Sequence, residues 1–209
     1  MISIEEYKQN PCEALSIPYW KAIDIIIPDN VKIIHNKNFD ETLLEKYSDK
    51  QYFRLIHRLN YVPDFSSNNF AYKILSKEKT NEVADMINAS YSHTDVFVSA
   101  DYIKGLTETN VYFPELWIGA FDNTKLVGSI ICDLDTKIGE GIIEWLQVLP
   151  EYRGKGIASV LVCEALNILK LNADFATVSG ECDNITNPES IYRKCGFIGN
   201  DIWHILTQH

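Results

Sequence analysis

Residues 157–171 restrict the fold more than any other stretch. Only Ser159, Glu164, Asn167 and Lys170 interrupt a run that is otherwise apolar. A helix apolar almost all the way round must be covered on most of its circumference. In a chain of 209 residues the natural cover is a sheet on one side of the layer that the helix forms. The residues before it supply that sheet: 142–148 read as a β-rich run, and 150–156 as a turn that Pro150 and two glycines force on the backbone.

The surrounding pattern agrees. Residues 70–75 read as a strand, 80–91 as a helix with Val83, Met86 and Ile87 at helical spacing, and 100–107 as a second helix. Residues 117–121 and 126–133 are two strands joined by Asp122-Asn123-Thr124-Lys125, which suits a tight hairpin. A strand at 177–180, a helix at 188–194 and a strand at 197–206 follow. Asn187 caps that helix, Pro188 stands in its first turn and Gly196 ends it. The order predicts a mixed α/β fold with a mostly antiparallel central sheet flanked by helices. Ahead of it, the polar stretch 63–69 divides the chain into a small α/β extension, 1–69, and a main domain, 70–209. Within the extension, 23–27, 32–35 and 52–57 read as strands and 40–47 as a helix opened by Asp40. Tyr19, Trp20, Tyr52, Phe53 and Phe65 are expected in its core, with a substrate wall as their other reading.

Hydrophobic residues make up 46% and charged residues 23%, and the net charge is −10, a balance that disfavours nucleic acid and anionic membrane as partners. The cysteines Cys12, Cys132, Cys163, Cys182 and Cys195 are odd in number and scattered, so reduced thiols in the cytoplasm are expected. Cys163 and Cys195 read as small core residues rather than nucleophiles. Glu5 and Glu6 stand where a signal peptide needs apolar residues, and 23–27 is too short to span a membrane and holds Asp24. His35, His57, His93, His204 and His209 have no ligand spacing, and no metal is expected.

The turn itself carries the chemistry. At the start of a helix the first N–H groups have no partner within the helix and the dipole favours negative charge. In the segment Arg153-Gly154-Lys155-Gly156-Ile157-Ala158 the glycines let the backbone present those groups, and Arg153 and Lys155 add positive charge. A pyrophosphate fits such a cradle. A Walker phosphate loop is absent, and a dinucleotide fingerprint would need Gly or Ala where Ser159 stands. A plain strand-to-helix turn remains the other reading.

This segment, with Leu146-Gln147-Val148-Leu149-Pro150 before it, resembles the signature of the GNAT acyltransferase superfamily, Gln/Arg-x-x-Gly-x-Gly/Ala after a strand. Ile191-Tyr192-Arg193-Lys194-Cys195-Gly196-Phe197 is similar to the family's second motif, and the resemblance covers about 70–209. It implies acetyl-CoA as acyl donor, with its pantetheine arm lying between the strand of Leu146 and Val148 and a parallel neighbour at 177–180. Leu146, Val148, Arg153, Gly154, Lys155, Gly156, Ile157, Ala158 and Asn187 would bind it. Asn187 lies closer to Tyr192 than the family's asparagine does, with Pro188 between, so it reads equally as a helix cap.

An acceptor amine of pKa about 10.4 is neutral in only about one molecule in 10³ near neutral pH, so a base is useful. The resemblance implies Glu144 for that base and Tyr192 for the acid that protonates the departing thiolate. Strict alternation would put Glu144 on one face with Leu146 and Val148. A structural carboxylate and a packing tyrosine are the competing readings. The whole reads as an N-acetyltransferase acting by direct transfer in a ternary complex on a small-molecule amine or a protein amino group, with a homodimer possible. A non-catalytic acyl-CoA sensor on the same fold is the alternative.

Overall fold

A computed structural model describes residues 2–65 and 68–209. Of the polar stretch 63–69, Ser66 and Ser67 lie outside the described residues. The chain opens with α1 (Ile4–Gln9), α2 (Pro11–Ala14), α3 (Tyr19–Ala22), β1 (Val31–His35) and β2 (Tyr47–His57). It continues through β3 (Ala71–Ile74), α4 (Thr80–Ser90), α5 (Ala100–Leu106), β4 (Tyr112–Asp122), β5 (Lys125–Asp135), β6 (Glu140–Val148) and α6 (Ile157–Leu169). It closes with β7 (Phe175–Glu181), α7 (Pro188–Lys194) and β8 (Ile198–Gln208). The fold is mixed α/β with mostly antiparallel strands and flanking helices, as the sequence predicts. No helix among the described residues is long and apolar enough to cross a membrane.

By contacts the chain forms two compact units, 1–57 with 177–209 and 58–176, a partition that crosses the sequence divide at residue 69. In the first unit the strands run in the order β1-β8-β2-β7, with β8 antiparallel to both neighbours. His204 of β8 stands opposite Ile34 on one side and Gln51 on the other. The amino-terminal helices are fastened to this sheet through Arg54, which is 1% exposed. Its guanidinium donates to the carbonyls of Pro11 and Ser16, each at 3.1 Å, to Ser179 Oγ at 3.2 Å and to Tyr7 Oη at 2.8 Å. Trp203 Nε1 adds a bond to the Cys12 carbonyl at 2.8 Å. Of the aromatics expected in the core, Phe53 is deeply buried, while Tyr19, Trp20, Tyr52 and Phe65 are half-buried.

Two expectations for this region fail. Residues 23–27 form no strand: α3 ends just before them, and Ile23, Ile25, Ile26 and Ile27 are exposed. Their β-propensity expresses a fit to a paired, half-buried surface, and among the described residues no strand pairs with them. Residues 40–47 form no α-helix either. Asp40 does cap, accepting from Thr42 N at 2.9 Å, but the turn is a short 3₁₀ helix over Glu41–Glu45. Tyr47 already belongs to β2, paired with Gln208.

In the second unit the order is β6-β5-β4-β3, with each neighbouring pair antiparallel. The hairpin at 122–125 forms as expected: Asp122 pairs with Lys125, and Asn123 takes the left-handed φ of 54° that a two-residue turn needs. One sheet face is covered by α4 and α5, whose Val83, Ile87 and Ile103 close a core with Trp117, Phe121 and Ile131. The opposite face carries α6, packed on β4, β5 and β6. Ile157, Val160, Leu161, Val162, Cys163, Ala165, Leu166 and Leu169 of α6 are all buried, which explains a helix with almost no polar face.

Candidate functional site

β6 ends at Val148, and Pro150 begins a short 3₁₀ turn, Pro150–Tyr152, that leads the chain away from the sheet. Gly154 and Gly156 both take left-handed φ values, 76° and 78°. A Cβ at either would meet nothing within 4 Å, so glycine is required there by backbone conformation and not by crowding. Among the described residues no side chain caps α6, and its first intrahelical bond runs from Val160 N to Gly156 O at 3.2 Å. The amides of Ile157 and Ala158 therefore head an uncapped helix beneath an exposed turn. This arrangement suits a phosphate group: open space, N–H donors and the positive end of a 13-residue helix coincide.

The two cations of the turn have different duties. Arg153 reaches inward: Nη2 donates to the Ser90 carbonyl at 2.7 Å and Nε to the Val148 carbonyl at 3.2 Å. Lys155 stays on the surface with Nζ 4.5 Å from the Tyr152 ring. Lys125 Nζ lies over the same ring at 5.1 Å and pairs with Glu151 at 3.1 Å. Tyr152 donates to Asp122 at 3.0 Å, and that bond is the first cause of its raised pKa.

On β6 the register to β5 shifts between Ile131 and Cys132. Ile131 faces Trp145, Cys132 faces Ile143, and Glu144 is the extra residue of the bulge. This corrects the alternation expected for Glu144, Leu146 and Val148: it holds from Trp145 to Val148 and is interrupted at Glu144. Bulges re-aim side chains and are frequent beside active sites. The Glu144 carboxylate is near enough to add to the rise in the Cys132 thiol pKa, which burial chiefly causes. Leu146 and Val148, the strand residues expected to pair with a cofactor, have carbonyls with side-chain partners, Tyr91 Oη at 3.4 Å and Arg153 respectively. Burial raises the pKa of Tyr91, and the positive charge of Arg153 opposes the rise.

Trp145 opens onto a feature absent from the sequence reading. A cavity of about 520 Å³ is lined by residues 95–99, Tyr102 and Trp145. Trp145 packs against the α4–α5 core and stands edge-on to Tyr91 at 6.0 Å. The loop is braced: Asn88 exchanges two hydrogen bonds with the Val98 backbone, both 2.9 Å, and Thr94 Oγ1 bonds Tyr91 O at 2.8 Å and Val96 N at 3.1 Å. A run of Val96, Phe97 and Val98 between two helices was the available sequence signal, but only the fold shows that it faces Trp145.

The remaining candidates lie in the unit of 1–57 and 177–209. Asn187, with φ 46°, caps α7 by accepting from Ser190 N at 3.4 Å. Tyr192 is 5% exposed and its ring packs with Phe53 and Phe197 at 6.2 and 5.7 Å. Among the histidines, His35 pairs with Asp201 at 3.0 Å and His204 with Asp49 at 2.8 Å, each within this unit. No group of His, Cys, Asp and Glu among the described residues could hold a metal ion.

Comparison with known proteins converges on one family. Residues 114–198 match the acetyltransferase (GNAT) domain. Over 89 residues the chain is 35% identical to N-alpha-acetyltransferase 30 of Schizosaccharomyces pombe, an overlap of 41% of this chain and 59% of that protein. It thus spans less than two thirds of that relative's length. Its fold is similar to a GCN5-related N-acetyltransferase from Sphaerobacter thermophilus, with TM-score 0.69 and 14% identity over 90% of this chain and 62% of the other. It is also similar to PaiA N-acetyltransferase from Thermoplasma acidophilum solved in complex with coenzyme A, with TM-score 0.53 and 19% identity over 68% and 99%.

Proposed function

We propose that the chain is a member of the GNAT acetyltransferase superfamily, supported by the match of residues 114–198 to the GNAT domain, and that it is an N-acetyltransferase that moves an acetyl group from acetyl-coenzyme A directly to an amine acceptor. The observation that carries this is the exposed turn with two left-handed glycines at the uncapped head of α6. When bound, acetyl-coenzyme A supplies an acetyl thioester. Gly154, Lys155, Gly156, Ile157 and Ala158 hold its pyrophosphate through backbone N–H groups, helped by the field of α6 and by Lys155. Arg153 keeps the turn in place through its two carbonyl bonds. Leu146 and Val148 align the pantetheine arm along β6.

Glu144, set out of register by the bulge, takes the proton that the acceptor ammonium must lose before it can attack. Tyr192 is assigned, on the family pattern, the hydroxyl that gives a proton to the departing sulfur. Asn187 acts by ordering the start of α7. The acceptor is an amino group of a small molecule or of a protein; the relative named N-alpha-acetyltransferase 30 favours the α-amino end of a polypeptide. A reducing, cytoplasmic setting fits five cysteines scattered along the chain in odd number.

Calorimetric titration with acetyl-coenzyme A tests the reading. Saturable binding is expected in the parent protein, and a ligand at about 100 times its dissociation constant adds about 2.7 kcal/mol of stability. In Gly156→Glu a carboxylate and its bulk enter the cradle, and binding is lost. Equal affinity in both proteins would remove the basis of the assignment.

A further inference from the structure

Three apolar side chains stand in water around the cavity beside Trp145: Phe97 is 79% exposed, Tyr102 45% and Val96 39%. Exposed apolar clusters of this kind mark surfaces that take a partner or ligand. They are held on a braced loop, since Asn88 fixes Val98 by two bonds, and Trp145 is anchored on the core. The walls are therefore preformed, and the volume of about 520 Å³ lies within the range of small-ligand sites. Among the described residues Asp95 is the one charged member of the lining.

These features discriminate between classes of amine. A polycation spreads its charges over its length and needs several acidic partners, whereas this lining supplies one carboxylate among apolar and aromatic groups. The net charge of −10 is therefore not concentrated on these walls. A single ammonium beside a bulky apolar group matches both features: Asp95 complements the charge, and Phe97, Tyr102 and Trp145 cover the apolar body.

We propose that this cavity takes the acceptor, and that the acceptor is a primary amine carrying one bulky aromatic or branched apolar group next to its amino group. The inference rests on the reading of β6 as the strand where transfer occurs, because Trp145 joins the cavity to that strand. The shared chemistry has two sources, a free arylalkyl or alkyl amine and the amino end of a peptide that begins with such a residue.

The test compares kcat/KM for phenylalanine amide, leucine amide and Phe-Gly-Gly with that for spermidine and lysine amide at saturating acetyl-coenzyme A. Acetyl-coenzyme A affinity is measured by calorimetry in parallel. The apolar amines are expected to lead by at least about tenfold. Phe97→Ala, at an exposed position where folding is not at risk, removes that lead mainly through KM and leaves acetyl-coenzyme A affinity unchanged. Direct titration with phenylalanine amide gives the same order without turnover. Faster transfer to Phe-Gly-Gly than to phenylalanine amide identifies a peptide end as the source, and the reverse identifies a free amine. A lead for spermidine or lysine amide with acetyl-coenzyme A binding intact overturns the inference and leaves the assigned activity standing. Absence of acetyl-coenzyme A binding overturns both.

Discussion

The guanidinium of Arg153 donates to the carbonyl of Ser90 at 2.7 Å, joining the last residue of α4 to the glycine turn that heads α6. Through Nε it also holds the last carbonyl of β6, Val148, at 3.2 Å. The residue that sequence reasoning places on a phosphate thus spans three elements of one unit. It holds the turn against α4 and β6 through these two carbonyl bonds.

Arg153→Ala should lower stability by about 1 kcal/mol, less than a buried charge-assisted hydrogen bond contributes because the side chain is largely exposed. Acetyl-coenzyme A affinity should fall with it. Arg153→Lys should recover little, since one ammonium does not reproduce a planar fork that reaches two carbonyls. Thermal unfolding and calorimetric titration of the same samples read both effects.

Glu144→Gln should reduce kcat by about 10² at neutral pH, within the usual span for a general base. The loss should shrink as pH rises toward the acceptor's own pKa, because more of the amine then arrives already neutral. A pH–rate profile parallel to that of the parent protein would exclude the role and leave Glu144 as a structural feature of the bulge.

Burial raises the pKa values of Tyr72, Tyr91 and Tyr112, so the folded chain keeps these phenol protons to higher pH than the unfolded chain does. Their contribution is intact below the unfolded tyrosine value of about 10, and it is lost as pH climbs through the raised folded values. Stability should therefore fall on the alkaline side. Tyr91→Phe should flatten that fall while leaving the neutral-pH melting temperature within a few degrees, as read by thermal unfolding from neutral pH to about 11.

Arg54→Met leaves the carbonyls of Pro11 and Ser16 and the hydroxyls of Tyr7 and Ser179 without their guanidinium. Each buried group that loses its partner costs about 1 to 3 kcal/mol, so a loss of at least about 3 kcal/mol is expected. A urea midpoint equal to that of the parent would contradict the view that Arg54 fastens α1 and α2 to the sheet.

Features that depend on a few neighbouring residues are readable along the chain. Gly154 and Gly156 announce left-handed backbone, Asp122-Asn123-Thr124-Lys125 announces a hairpin, and Asn187-Pro188 announces a helix start, and the structure holds all three. The cap at Asp40 was equally visible, yet the helix it promised stops after one 3₁₀ stretch because β2 claims Tyr47 for a pairing with Gln208. The isoleucines of 23–27 show the same limit from the other side, since β-branched residues make a strand only where another strand meets them.

By itself the sequence determined the local structure of this protein: an apolar helix that must be buried, a turn with two left-handed glycines at its head, and a likeness to the GNAT domain that includes both. Their causes act over a few residues, through φ, steric bulk and the unpaired amides of one helix end. Tertiary structure alone decided that β1 and β2 lie on either side of β8, the last strand, that Glu144 falls in a bulge, and that Phe97, Tyr102 and Trp145 share one cavity. Those outcomes depend on which strands and side chains meet across long separations in the chain. Such meetings are settled by packing and by hydrogen bonding between elements, and no short stretch of residues encodes them.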